Sequence, residues 1–291
     1  MFKIFVDSDS DFTPAHCRKY DLGMVPMPYF WEGKSIRPYI DFGEDFDYHA
    51  FYEVLRSGVV PATSAVNPVE YIEYFEPAFK EGKDILYISF SNALSSTFNS
   101  LRLAQEELKE KYPDRTITVL DTKGITGCAY QVGIETIEYI QSGDHTLEEI
   151  KAFFEDTVKH TACYLYADNL KFFAKSGRVS GFAALMGGII GIKPIIYLDD
   201  EGKMVTFEKA RGRQNAMNRM LQIVDDLNDD IYNHRVTITH TDFPEGAEIV
   251  KQRLIEKYGD KLRLEVMCVN PTNGCHAGPD CVCITFHAKH R

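Results

Sequence analysis

The chain has 291 residues, with 32 lysines and arginines against 43 aspartates and glutamates, for a formal net charge of −11. That balance repels a nucleic-acid backbone, and the best basic cluster (Lys209, Arg211, Arg213 and Arg219) is short and set among acids, so nucleic-acid binding is not expected. A hydrophobic share of 44% with 26% charged residues excludes disordered, collagenous and coiled-coil chains, and this length buries enough surface to need neither disulfide nor metal. The opening residues, MFKIFVDSDS, lack the apolar core of an export signal. The longest apolar run, 182–192, is broken by Gly187, Gly188 and Gly191 and is too short to span a membrane. Seven scattered cysteines without an export signal point to a reduced, cytoplasmic setting.

Taken in chain order, residues 2–6 read as a buried strand, and 24–42, rich in proline and aromatics, as irregular or short-strand structure. Helical spacing covers 47–56. Asn67-Pro68 opens a second helix, with Asn67 as cap, Pro68 in the first turn and Glu70 three residues on. A strand at 84–90, a helix at 97–111, a strand at 116–121 and a helix at 128–141 follow. Such alternation implies βαβ units and a parallel sheet. A connecting helix is expected at 144–157, with Thr146 and Glu149 as its cap pair. Beyond it the pattern becomes α+β: a hairpin at 192–209 turning on Asp-Asp-Glu-Gly, a helix at 213–228, strands at 235–239, 262–269 and 281–286, and a helix at 245–258. The expected fold is therefore α/β in two domains, 1–155 with a Rossmann-like parallel sheet and 156–291 with an α+β arrangement.

Four places could carry chemistry. VDSDSD, residues 6–11, puts Asp7 and Asp9 beyond a strand, the arrangement a magnesium-dependent phosphatase uses. The plainer reading is that these side chains bond the loop backbone. Cys268, Cys275, His276, Cys281, Cys283, His287 and His290 cluster near the C-terminus, but their spacing does not fit the usual zinc knuckles. Hydroxyls crowd two strand-to-helix loops, Thr63-Ser64 and Ser95-Ser96-Thr97. They suit either helix capping or the binding of an anion such as a carboxylate. No serine-hydrolase elbow accompanies them. Finally, Arg178 stands before the apolar run 182–192, which reads either as a buried core helix or as a head group's cation beside an oily wall.

The motifs, in order, resemble those of the DegV family of bacterial fatty-acid-binding proteins. They are VDSDSD (6–11), MVPMPYF (24–30), TSAVNP (63–68), LSSTFNS (94–100), DTKGITG (121–127), SGRVS (176–180) with IKPII (192–196), and GCHAGPD (274–280). The resemblance covers the whole chain. It implies a cytoplasmic carrier rather than an enzyme, with a long-chain fatty acid such as palmitate held between the two domains and no cofactor or metal. It assigns Thr63 and Ser95 to the carboxylate, with Arg178 and His276 in support. Ser96 stands where the family usually has glycine, and Asp280 replaces another glycine. Some members present the bound fatty acid to a separate kinase, and Arg211 and Arg213, beside Lys209, are where such a partner would dock.

Overall fold

The computed structural model describes residues 2–43, 45–180 and 191–291. β1 (Phe2–Asp7) ends in a tight turn, Ser8–Ser10. Thr13 and His16 cap each other at the start of α1 (Pro14–Tyr20), a helix the spacing analysis had left out although Thr-Pro opens it. Short strands β2 (Gly23–Val25), β3 (Tyr29–Trp31) and β4 (Lys34–Ile36) precede α2 (Tyr48–Arg56), capped by Asp47. β5 (Ala62–Thr63) leads into α3 (Pro68–Lys80), whose cap is the expected Asn67–Glu70 box. β6 (Asp84–Ser89), α4 (Thr97–Lys111), β7 (Ile117–Asp121), α5 (Gly127–Gln141) and α6 (Leu147–His160) complete the first half. Among the described residues the parallel sheet runs β2-β1-β6-β7. A small antiparallel sheet, β4-β3-β5, pairs Tyr29 with Thr63 and so fixes the height of Thr63 above the parallel sheet.

β8 (Thr161–Tyr166) and α7 (Leu170–Ser176) follow; neither was expected, although TACYLY is the short apolar run of a buried strand. Next come β9 (Val179–Ser180) and the expected hairpin, β10 (Ile192–Leu198) and β11 (Met204–Arg211). α8 (Arg213–Leu227), β12 (Arg235–His240), α9 (Pro244–Tyr258), β13 (Arg263–Cys268), α10 (Pro271–Ala277) and β14 (Val282–His287) end the chain. These strands form a mixed sheet, β13-β12-β14-β8-β10-β11-β9, with antiparallel pairs at its centre. The chain is α/β, with a parallel sheet in its first half and a mixed sheet in its second.

α5 ties the sheets together. Its buried side chains run around the whole helix, from Cys128 through Ile137, and join core residues of both sheets. A helix apolar on all sides must be covered on all sides. At its start a Cβ on Gly127 would lie 2.5 Å from the Thr239 methyl of β12, so glycine alone permits this approach. The boundary expected at 155/156 falls within α6, whose Ile150, Phe154 and Val158 pack with Val6, Leu86 and Leu120 of the parallel sheet.

The C-terminal cysteines and histidines do not converge on a metal. Cys275 packs with Tyr29 and Phe51, while Cys281 and Cys283 lie in a separate core with Cys163, whose sulfur is 3.3 Å from that of Cys283. His287 stacks on His234, ring centroids 3.6 Å apart. Among the described residues, the group of His, Cys, Asp or Glu side chains close enough to share an ion is His49, Glu53 and Asp242. The Arg56 guanidinium already bridges it, 2.7 Å from Glu53 and 2.6 Å from Asp242. Among the described residues no helix is long and apolar enough to cross a membrane. The segment 182–190, expected to line an acyl tail or to form a core helix, lies outside the described residues.

Candidate functional site

Where β1 ends, residues 7–11 turn inward and all five are buried. Asp7 Oδ1 accepts the backbone N–H (2.9 Å) and hydroxyl (2.8 Å) of Ser10; Oδ2 accepts the Tyr87 hydroxyl (3.1 Å) and the Phe90 N–H (2.9 Å). Burial raises the Asp7 carboxyl to about 6, against the pull of those four donors. Asp11 Oδ1 takes the backbone N–H (3.0 Å) and side-chain amide (2.8 Å) of Asn270. Asn270 in turn caps α10 through the Asn273 N–H. The Asn273 amide reaches the Asp9 carbonyl at 2.8 Å, and the Ser8 hydroxyl accepts the Met27 N–H at 2.8 Å. The acidic motif is thus a clasp that seats α10 on the end of the parallel sheet.

The arrangement is that of the plainer reading, in which these side chains bond the loop backbone, rather than of the phosphatase alternative. Four donors already fill both oxygens of Asp7, the nucleophile that reading requires. Asp199, in the Asp-Asp-Glu-Gly hairpin, likewise accepts the Glu201 and Lys203 N–H groups within the turn.

Burial also raises Asp11, to about 7, above its unfolded value. A carboxyl raised on folding binds more protons folded than unfolded, so its contribution is full below the unfolded value and is lost as pH rises through the folded one. The stability of Asp11→Asn relative to the parent is therefore expected to increase between pH 4 and pH 8. Thermal melts across that range check it, and a pH-independent difference refutes it.

Above the clasp lies a cavity of about 250 Å³. Its apolar wall includes Met27, Phe90 and Leu94 from the parallel-sheet side and Leu165, Phe173 and Val282 from the other. Thr63, Ser95, Ser96, Arg178 and His276, the residues expected to meet a carboxylate, all line it, together with Asp9. The Thr63 hydroxyl is 3.0 Å from His276 Nε2. Burial first, then the charge of Arg178, lowers His276 to about 4, so the ring is neutral at pH 7. With its proton on Nε2, it donates to Thr63 and leaves the threonine O–H free to donate into the cavity. Ser95 Oγ accepts the Thr97 N–H at 3.2 Å, which likewise leaves its own O–H free. Buried Thr97 holds the two loops together: its hydroxyl accepts the Val66 N–H (3.2 Å) and meets the Tyr71 hydroxyl (3.1 Å). Arg178 is exposed; its guanidinium donates to the Ser176 carbonyl at 2.6 Å and its backbone N–H to the Ser176 hydroxyl at 3.4 Å.

Both departures from glycine are accommodated. Ser96 has φ −76° and ψ −3°, open to any residue, and its side chain makes no cap bond. Asp280 sits at φ +67°, in the left-handed region that glycine favours and aspartate tolerates. Its carboxylate pairs with Arg56 (2.6 Å) and Arg213 (2.9 Å). Arg213 also grips Asp168 at 2.7 Å and lies over the Phe243 ring, so its guanidinium is engaged within the fold, whereas Arg211 and Lys209 are exposed on β11.

The model of the DegV family, a family of uncharacterised proteins, matches residues 1–289. The chain belongs to the DegV family. A DegV domain-containing protein of Clostridium perfringens is 31% identical over 286 residues, covering 98% of this chain and 97% of that one. This DegV fold matches a stearic-acid-binding protein from Eubacterium ventriosum with a TM-score of 0.87 at 21% identity, covering 99% of this chain and 98% of the other. It matches DegV of Bacillus subtilis, described as a fatty acid binding protein, with a TM-score of 0.83 at 23% identity over 99% of each chain. Those two likenesses establish the fold.

Sequence reasoning about this DegV chain missed the residues that hold the site. Asn270 and Asn273 went unremarked, although Asn270-Pro271 repeats the Asn67-Pro68 helix signature. Asp9, a candidate metal ligand by sequence, lines the cavity.

Proposed function

We propose that this protein is a binding and carrier protein for a long-chain fatty acid, acting without catalysis of its own and without a cofactor. The observation that carries the reading is the convergence of Thr63, Ser95, Ser96, His276 and Arg178 on one cavity with apolar walls. Free hydroxyl donors meet the cost of burying a carboxylate, which is the expensive part of such a ligand. The tail supplies the affinity: some 15 methylenes of a palmitoyl chain contribute roughly 12 kcal/mol at ~0.8 kcal/mol each, before the costs of association. The fold shared with fatty-acid-binding proteins supports the same ligand class.

In this reading the chain works in the cytoplasm as two units, 1–155 and 156–291, whose facing edges make the cavity walls. A fatty acid kinase receives the head group, docking at Lys209 and Arg211, with Arg213 beside them held by Asp168 and Asp280. The test is native and denaturing mass spectrometry of the purified protein, with solvent extraction. One free fatty acid per chain is expected. A chain that carries none, and takes up neither palmitate nor oleate when these are added, refutes the reading.

A further inference from the structure

One group in the cavity has no role in that account. Asp9 is 7% exposed and lines the cavity, and its Oδ1 is shielded from solvent without a hydrogen-bond partner among the described residues. Its backbone cannot turn away: the Asp9 carbonyl takes the Thr126 N–H from the start of α5 and the Asn273 amide from α10, both at 2.8 Å. Asn273 stands one helical turn before His276, which touches Thr63, so the same short helix holds Asp9 and the head-group cluster.

A fatty acid carboxylate entering here meets a second carboxyl, that of Asp9, which is itself only 7% exposed. Two like charges in a low-dielectric site do not both stay ionised; one takes a proton and donates it to the other. Several charged or titratable groups surround Asp9. Asp7 and Asp11 flank it on its own loop, Tyr71 faces it from α3, Cys275 from α10 and Arg178 from beyond α7, while His276 and His240 line the same cavity. Burial and the two neighbouring aspartates raise the Asp9 carboxyl well above the usual range, and the charge of Arg178 opposes them. When a ligand anion arrives, that one guanidinium serves two carboxylates.

We propose that Asp9 is a further ligand-binding residue of the head-group site, whose protonated carboxyl donates a hydrogen bond to the bound carboxylate, so that the fatty acid anion binds only while Asp9 carries its proton. This rests on the fatty-acid reading above. It makes affinity pH-dependent, falling up to tenfold per pH unit above the titration of unliganded Asp9.

The experiment is calorimetric titration of the full chain with palmitate, in two buffers of different ionisation enthalpy, from pH 7 to 9. The parent is expected to show a Kd that rises, and a proton uptake per palmitate that grows toward one, as pH climbs past the titration of unliganded Asp9. Asp9→Asn, whose amide N–H donates without titrating, is expected to bind with almost no uptake and a flat Kd. A parent whose Kd and uptake stay flat after unliganded Asp9 has titrated, or an Asp9→Asn variant that keeps the parent's uptake and pH dependence, overturns the proposal. Should Asp9→Asn fail to fold by circular dichroism, carbon-13 NMR of carboxyl-labelled palmitate on the parent decides. The label is expected at its ionised position while the proton is taken up; at its protonated position it puts the proton on the ligand and overturns the proposal. A parent that binds no palmitate removes the fatty-acid reading itself, and this inference with it.

Discussion

Replacing Thr63 and Ser95 together by alanine is expected to strip the protein of bound fatty acid while leaving it folded. Ser95 has an O–H to give to an anion because its oxygen already accepts the Thr97 N–H, and Thr63 has one when the neutral His276 carries its proton on Nε2. A hydrogen bond to a charged group contributes about 1.5–3 kcal/mol, so losing both weakens binding roughly a hundred- to ten-thousand-fold. The cost to the fold is small by comparison. Ser95→Ala removes one acceptor near the start of α4, about 1 kcal/mol, and Thr63→Ala leaves His276 facing the cavity. Mass spectrometry of the purified double variant, beside its melting curve, checks both halves. A folded variant that retains one fatty acid per chain refutes the assigned head-group site.

Asp7→Ala is expected to be the costliest change to stability. It would strand the Ser10 and Phe90 N–H groups and the Ser10 and Tyr87 hydroxyls, all buried, at the point where β1 hands the chain to the clasp. An unsatisfied buried donor costs about 1–3 kcal/mol, and with partial relaxation the total is about 3–5 kcal/mol. Asp7→Asn rescues only part of it, because its amide nitrogen turns a donor toward donors. Urea unfolding measures the loss, and a change below about 1 kcal/mol would show that Asp7 does not hold the loop. Since the clasp also caps α10, weakened fatty acid binding is expected alongside the lost stability.

The elements that could be read from the chain are those whose signals are local. Asn67, Pro68 and Glu70 satisfy the free N–H groups of their own helix, so their spacing declares the helix whatever surrounds it. The same holds for Thr146 with Glu149, and for the Asp-Asp-Glu-Gly hairpin, where Gly202 takes φ +77°. β8 was passed over because a short apolar run announces burial but not what will cover it; here β10 and β14 pair with it from either side. α6 runs past its expected end because its last turn is held by core contacts that Val158 makes with the parallel sheet.

The site divides along the same line. Sequence by itself determined the hydroxyl-bearing loops, the glycine-free Ser95-Ser96 pair, the ordered motifs of the family and the residue types suited to a carboxylate. Tertiary structure alone decided which of them meet. Thr63 and His276 are 213 positions apart and reach 3.0 Å only because β3 holds one and the Asp11–Asn270 bond seats the helix that carries the other. It also decided that Asp7 is wholly spent on the fold and that Asp9 lines the cavity with one oxygen unpartnered among the described residues, though two positions separate them in an acidic run that reads alike throughout. Local chemistry sets what a side chain can do, but the burial and partners that select among those options come from chain segments far away in sequence.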